Sequence, residues 1–309
     1  MAYPKMSDGE TRTPAEDFPL APELPLPPGI DETALFAFLE STRVADAPAA
    51  EMQAYCRSDF RRFVYTWGLS RGERGQALEL GANPYFTTML LREFSPLDLT
   101  LANFFLDGLP DKGRQDVVYT DRSNGEPARV SFAFDHFNIE TARFPYADAS
   151  FDIVFFCEII EHLLMDPLHV LREIFRVLRP GGSLILTTPN VARLENVARL
   201  ISGANIYDPY SGYGPYGRHN REYNRHELHL LLRYAGFQPE VSYTADVHPN
   251  GAYVYAPPAA LRAQLTFREH DLGQYLFTRS RRTASAGTKK PDFLYRSYAP
   301  TELEPWPAT

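Results

Sequence analysis

The sequence predicts a doubly wound, seven-stranded, mostly parallel α/β sheet with an N-terminal helical cap. Three observations carry this reading. Short apolar runs alternate with helical stretches from Gln76 onward, the runs FDIVFF and SLILTT are hydrophobic without alternation, and helix-start and helix-stop residues punctuate the segments between them. Unbroken hydrophobicity suits parallel strands covered on both faces.

Taken in order, residues 1–30 hold seven prolines, which forbid a continuous helix or a central strand, and they are expected to form a mobile or surface-hugging leader. Residues 31–72 read as the helical cap, broken near Pro48. Its second half, AEMQAYCRSDFRRFVYTWGL, repeats apolar residues at spacings of three and four. The main domain is expected over 73–282. Its strands are placed at Gln76–Leu80, Leu97–Asn103, Ala128–Asp135, Phe151–Cys157, Ser183–Thr188, Val241–Ala245 and Gln274–Arg279. Helices are placed at Pro84–Phe94 and Pro167–Leu178, each with proline in its first turn, and at Arg225–Ala235, capped by Asn224 and closed by Gly236. Residues 283–309 read as a loosely ordered tail.

Composition narrows the function. The chain has 309 residues, 44% of them hydrophobic, enough for one full core with extensions. No apolar run approaches the roughly 20 residues of a membrane helix, and the N-terminus lacks a signal-peptide pattern, so a cytoplasmic protein without a membrane-spanning segment is expected. Cys56 and Cys157 are the only cysteines and have no partner at redox or zinc spacing. A formal charge of -8 disfavours a nucleic-acid partner. Oligomeric state is left open.

The first site signal is Glu79-Leu80-Gly81-Ala82-Asn83-Pro84, where the first strand meets a helix. Gly81 lets backbone approach a ligand, and the Glu79 carboxylate can accept from an ammonium or hydroxyl. Neither GxxxxGK[ST] nor GxGxxG is present, so a cofactor bearing an amino acid and a ribose suits the loop better than a triphosphate. The second signal is Glu158, Glu161 and His162. Their spacings of three and four bring them to one face if the chain turns helical after Cys157, where they suit a divalent cation or a base acting on a hydroxyl.

ELGANPY, FPYADASFDIVFFCEIIEHL and LREIFRVLRPGGSLILTTPN together resemble the class I S-adenosylmethionine-dependent methyltransferases, over about residues 75–190 and more loosely to 280. The resemblance implies a Rossmann-like sheet and S-adenosylmethionine as cofactor. It implies that Glu79, Gly81, Ala82 and Asn83 line the methionine end, that Asn103 meets the ribose diol, and that Asn138, or Asp135, reads the adenine. Cys157 and Glu158 face cofactor or substrate. Asn103 is an amide where the family usually has an acid, and turn formation is an alternative role for both asparagines.

Glu158-x-x-Glu161-His162 is similar to the ExxEH pattern of metal-dependent O-methyltransferases, which implies a cation such as Mg held by Glu158, Glu161, His162 and His219, with His226 as a substitute. Metal-free relatives carry Glu-His-Leu at the same place. Metal binding, a metal-free catalytic role led by His162, and a structural role therefore all stay open. The loop Asn205–Tyr223 holds five tyrosines and is expected over the site mouth, with Tyr213, Tyr216, Arg218 and His219 toward substrate. The expected function is methyl transfer to a hydroxyl of a sugar or glycan precursor in polysaccharide biosynthesis. An aromatic or quinone-precursor hydroxyl is the enzymatic alternative, and a non-catalytic binding or regulatory protein is the other.

Overall fold

The computed structural model describes residues 20–255, 259–260, 263 and 265–306. Most of the proline-rich leader, residues 1–19, lies outside the described residues, as do residues 307–309 of the tail.

Nine strands make one mixed sheet: β1 (Arg43–Val44), β2 (Gly75–Leu80), β3 (Leu97–Asn103), β4 (Lys112–Thr120), β5 (Pro127–His136), β6 (Phe151–Cys157), β7 (Leu178–Pro189), β8 (Phe237–Ala245) and β9 (Tyr275–Arg282). Their order is β1-β4-β5-β3-β2-β6-β7-β9-β8. The five central strands, β5 through β7, are parallel, while β9 runs antiparallel to β7 and β8. Each of the seven expected runs overlaps one strand, but the count of seven is corrected to nine. β4 escaped notice because its first half, KGRQD, alternates polar residues on an exposed edge. It pairs antiparallel with β5, and the two-residue β1 closes its outer side. Such an edge needs no hydrophobic run, because one face of an antiparallel ribbon can remain wet.

Helices α1 (Glu32–Ser41), α2 (Ala49–Leu69) and α3 (Phe86–Phe94) cover one sheet face. The break expected near Pro48 is the N-cap of α2. α2 is less an appendage than a wall of the domain: Phe60, Phe63, Val64 and Tyr65 share one core with Ile153, Phe155, Ile185 and Phe277 of the sheet. Charged residues are buried with them, Asp59 and Arg62 among these. Pro84 stands before α3 rather than inside its first turn, because Tyr85 takes a left-handed conformation (φ 73) and becomes the N-cap.

The opposite face is covered by α4 (Pro167–Val177) and α6 (Arg225–Tyr234), with α5 (Leu194–Ile201) to one side. Asp166 caps α4 by accepting from Leu168 N and His169 N, and Asn224 caps α6 through Glu227 N. Gly236 ends α6 at φ 88, with the Ser285 carbonyl where a Cβ would stand. No helix among the described residues is long and apolar enough to cross a membrane.

The segment expected to be a loose tail is packed as far as residue 306. Its strands β10 (Lys290–Pro291) and β11 (Leu303–Glu304) pair with each other. Tyr295 is 7% exposed within the second core, and its hydroxyl donates to Asp166 Oδ1 while accepting from Leu168 N. Aromatic residues spaced along a polar segment anchored it. Tyr295→Ala is expected to lower unfolding free energy by about 2–4 kcal/mol in urea titrations, the cost of a buried aromatic plus a lost hydroxyl partner. An unchanged midpoint would restore the loose-tail expectation.

Candidate functional site

Strand order reverses between β2 and β6, whose carboxyl ends open a crevice at the point where ligands bind such sheets. Gly81 leaves β2 at φ 66, and a Cβ there would lie 2.8 Å from Ile159 Cδ1 just beyond β6. The left-handed φ favours glycine here, and the absent Cβ leaves room for the tip of Ile159. Gly81 N and Ala82 N both donate to Ala102 O of β3, at 2.8 and 3.3 Å.

Asn103 anchors this loop. Its Oδ1 accepts from Asn83 N (2.9 Å) and its Nδ2 donates to the Tyr85 hydroxyl (3.1 Å), while Asn83 Nδ2 and Tyr85 both bond Gln115 of β4. The turn-forming role weighed for Asn103 is therefore realised, although an amide keeps a second lone pair and a second N–H. Glu79 is buried and accepts from Thr88 Oγ1 at 2.6 Å. A cavity of about 100 Å³ lies beside it, lined also by Gly81, Cys157, Glu158 and, from α2, Tyr55 and Arg62. Burial pushes the Cys157 thiol well above its ordinary range, so it is no nucleophile there.

Beyond β6 the chain does not turn into a regular helix. Glu158 takes φ 54, and a single 3₁₀ turn spans Ile160–His162. This corrects the expectation of three groups on one helical face. Glu158 turns toward α2 instead, accepting from Thr187 Oγ1 (2.7 Å) and facing Arg62 Nη1 at 3.6 Å. Glu161, His162 and His219 come together with one ligand atom each, all within 4.8 Å of one another, while Glu158 and His226 stand outside the cluster. Glu161 is fully buried. Its Oε2 accepts from Thr188 Oγ1 (2.9 Å), whereas Oε1 has no hydrogen bond among the described residues and lies 3.8 Å from His162 Nε2. Burial and the nearby Glu158 charge raise the Glu161 carboxyl well above its usual range.

Both imidazoles are oriented. His162 Nδ1 lies 2.9 Å from the Arg218 carbonyl, which can only accept, so Nδ1 carries the proton and Nε2 offers a lone pair. His219 Nδ1 lies 2.9 Å from Glu222 Oε1 and donates its proton there. Burial, reinforced by His219, lowers the His162 pKa and keeps the ring neutral.

The loop from Asn205 to Tyr223 supplies these contacts. Asn220 N and Arg221 N donate to the Glu161 carbonyl, and Asn220 Nδ2 to that of His162. Tyr216 donates to Glu140 Oε2 (3.0 Å) and accepts from Asn138 Nδ2 (3.2 Å), while Asn138 Oδ1 closes a turn with Glu140 N. Asp135 is occupied by the Tyr146 hydroxyl. Tyr213 is exposed, and Arg218 stacks on Tyr210 at 4.4 Å.

Sequence reasoning missed Tyr55, Asp59, Arg62 and Glu140. The signal for the first three was available: polar residues at helical spacing on the apolar stripe of α2. Glu140, in a turn, carried none.

Burial raises the Glu79 carboxyl to about 8, against the Thr88 bond, which lowers it. A folded protein holding this proton is favoured below the unfolded value of 4.5, and that contribution is lost as pH rises through 8. Glu79→Gln is thus expected to flatten the fall in stability between these limits, exceeding the parent by about 2 kcal/mol or more at alkaline pH. Thermal unfolding across pH checks this; parallel profiles would contradict it.

Residues 105–186 match the family model of a methyltransferase domain, a range that begins after the Gly81 loop. A "Probable S-adenosylmethionine-dependent methyltransferase" of Mycolicibacterium smegmatis is 38% identical over 137 residues, 43% of this chain and 48% of that protein. The 27-O-demethylrifamycin SV methyltransferase of Amycolatopsis mediterranei is 49% identical over 55 residues, 16% of this chain and 20% of that one. The chain spans less than half the length of these relatives. Among solved structures, an Archaeoglobus fulgidus SAM-dependent methyltransferase covers 74% of this chain and 94% of its own, at 13% identity and a TM-score of 0.42. The chain thus carries a methyltransferase domain match within a mixed, Rossmann-like α/β sheet and is similar in sequence to S-adenosylmethionine-dependent methyltransferases.

Proposed function

We propose that the protein is an S-adenosylmethionine-dependent methyltransferase acting on a hydroxyl of a sugar or glycan precursor. One observation carries the reading: the glycine loop after β2 and the turn after β6 that carries Glu161 and His162 follow neighbouring strands at the switch point, with Gly81 packed beside Ile159. The residues there fit the cofactor. The missing Cβ at Gly81 leaves a cradle, Glu79 offers a buried carboxylate to an ammonium, and the cavity beside them has room for an amino-acid head. Asn103 has capacity for one further bond on each side of its amide.

When bound, S-adenosylmethionine supplies a methyl group on a sulfonium, an electrophile that needs no further activation. The chain's part is to orient an acceptor oxygen in line and remove its proton. His162 suits that task, being half-buried, neutral, and fixed through Nδ1 so that Nε2 accepts. Oxygen as acceptor is favoured by the Amycolatopsis relative, whose name specifies a 27-O-demethyl substrate. The exposed tyrosines Tyr207, Tyr210 and Tyr213, in the loop that carries His219, support a sugar, since their faces and hydroxyls suit stacking and hydrogen bonding. Tyr216, Arg218 and His219 are the other substrate-side residues in this reading.

A divalent cation at the cluster is supported by a separate observation. Two imidazole lone pairs and the unpartnered Glu161 Oε1 converge, and each histidine donates its other N–H to an oxygen, as metal-binding histidines do. Two imidazoles and one carboxylate suit manganese or zinc better than the magnesium expected from sequence. In that reading His162 Nε2 would be a ligand and not the base, and the cation would polarise the acceptor oxygen so that its proton leaves more readily.

Calorimetric titration is expected to show one site for S-adenosylhomocysteine; no binding would reject the methyltransferase reading. His162→Ala should lower kcat by about 10²–10⁴-fold with cofactor affinity held within a few-fold; equal loss of both would make His162 structural. Manganese is expected to bind the chelator-treated protein one to one and to be lost in Glu161→Gln. No binding to the parent would leave His162 as a metal-free base.

A further inference from the structure

The two histidines of the cluster are held by partners of different kinds. His162 Nδ1 meets a neutral carbonyl, that of Arg218, whereas His219 Nδ1 meets the Glu222 carboxylate at 2.9 Å. The Glu222 side chain is only 11% exposed, and its other oxygen, Oε2, accepts from Arg193 Nη1. Arg193, the N-cap residue of α5, is fixed in turn: its Nη1 also donates to the Asn190 carbonyl at 3.0 Å, and its backbone N–H donates to the same oxygen. Asn190 is buried just beyond β7 and donates through Nδ2 to the carbonyls of Asp271 and Gly273. Tyr223, next to Glu222, bridges to Asn190, and its carbonyl accepts from Val191 N at 3.0 Å. The carboxylate thus stands between a held guanidinium and an imidazole, on a backbone that is itself pinned.

An arginine only donates, so the group facing it must accept. A carboxylate accepts on both oxygens, and the Nδ1 that faces Glu222 Oε1 must therefore carry a proton. Whatever lone pair the ring offers is then on Nε2. His219 brings one ring nitrogen within 4.8 Å of ligand atoms of Glu161 and His162. We propose that Arg193 and Glu222 are positioning residues that lock the His219 ring, keeping its proton on Nδ1 and its lone pair for the cluster. Arg193 sets the polarity of the lock, because it decides which way a planar group at residue 222 can turn. An amide there would give its oxygen to Arg193 and its NH₂ to Nδ1, which would have to become an acceptor; the ring proton would then sit on Nε2. This rests on the reading of the cluster as the reacting side of a methyltransferase site and adds to it a supporting pair from the start of α5 and the loop before α6.

The test reads the ring nitrogens directly. The full chain, isotope-labelled at histidine nitrogen and freed of metal by chelator, is studied by proton–nitrogen correlation NMR in the alkaline range where the ring is neutral, with His219 assigned by its loss in His219→Gln. The parent is expected to carry the ring proton on Nδ1 and none on Nε2. Glu222→Gln should invert this pattern, and adding Arg193→Met to it should restore the parent pattern, because the amide is then free to turn its oxygen to Nδ1. A defect cured by removing a second contact is not what a general loss of packing produces. Manganese affinity of the chelator-treated protein should fall about 10–100-fold in Glu222→Gln and recover in the double variant. If Glu222→Gln does not fold, Glu222→Ala takes its place and should show both tautomers. A parent with its proton on Nε2, a glutamine variant with the parent pattern, an alanine variant with Nδ1–H alone, or an inversion that survives in the double variant would overturn the lock, as would unchanged manganese affinity after inversion. Failure of the parent to bind S-adenosylhomocysteine or manganese would instead overturn the methyltransferase or the cation reading, each without touching the ring-nitrogen result.

Discussion

The close approach of Gly81 to Ile159 governs the site. Strand order turns between β2 and β6, which are paired neighbours, so their following loops flank the switch point. A missing Cβ lets them meet with Ile159 Cδ1 only 2.8 Å from where one would lie. On one side of that contact Glu79 and the Asn103-anchored loop face the cavity; on the other Glu158, at a positive φ, lines the same cavity and Glu161 follows into a 3₁₀ turn. A side chain at residue 81 would be strained by the left-handed backbone there and would displace the tip of Ile159.

Burial of acid makes the arrangement electrostatically demanding. Glu79, Glu158 and Glu161 all sit in low-dielectric surroundings, and burial raises each of their pKa values. The molecule meets this in three ways. Thr88, Thr187 and Thr188 each donate to one of the carboxylates, Arg62 faces Glu158, and Glu161 keeps one oxygen toward two imidazoles. The first two are ordinary compensation. The third leaves a buried oxygen without a partner, a feature native interiors seldom keep without a ligand or proton to meet it. The loop from Asn205 to Tyr223 completes this half, because its carbonyl at Arg218 selects the His162 tautomer and its own His219 supplies the second ring.

The central sheet was legible because parallel strands buried on both faces must be continuously apolar, and FDIVFF and SLILTT are. β1 and β4 were illegible for the converse reason: a short bridge and a wet edge ribbon impose little pattern. The packed tail hid in a polar composition, its order resting on a few aromatic anchors such as Tyr295. In the site, residue types were readable but directions were not. Glu161 and His162 stand together as their adjacency suggests, yet Glu158 is turned away by one positive φ that no spacing rule foresees. Asn103 and Asn138 show why an amide near a loop is ambiguous: each closes local structure, and Asn138 also meets Tyr216. Arg62 was readable in principle, as a charge on the buried stripe of α2, but a helix outside the expected sheet directed attention elsewhere.

The central claim is that one crevice, bounded by the β2 loop, the β6 turn and the loop from Asn205 to Tyr223, receives the cofactor. Amide hydrogen exchange with and without saturating S-adenosylhomocysteine tests it most directly. The account predicts slowed exchange at residues 79–87, 103–106, 136–140, 157–163 and 214–222, with β8 and the segment from Lys290 to Glu304 unchanged. Exchange that is unaltered in those five segments, or slowed only elsewhere, would contradict it.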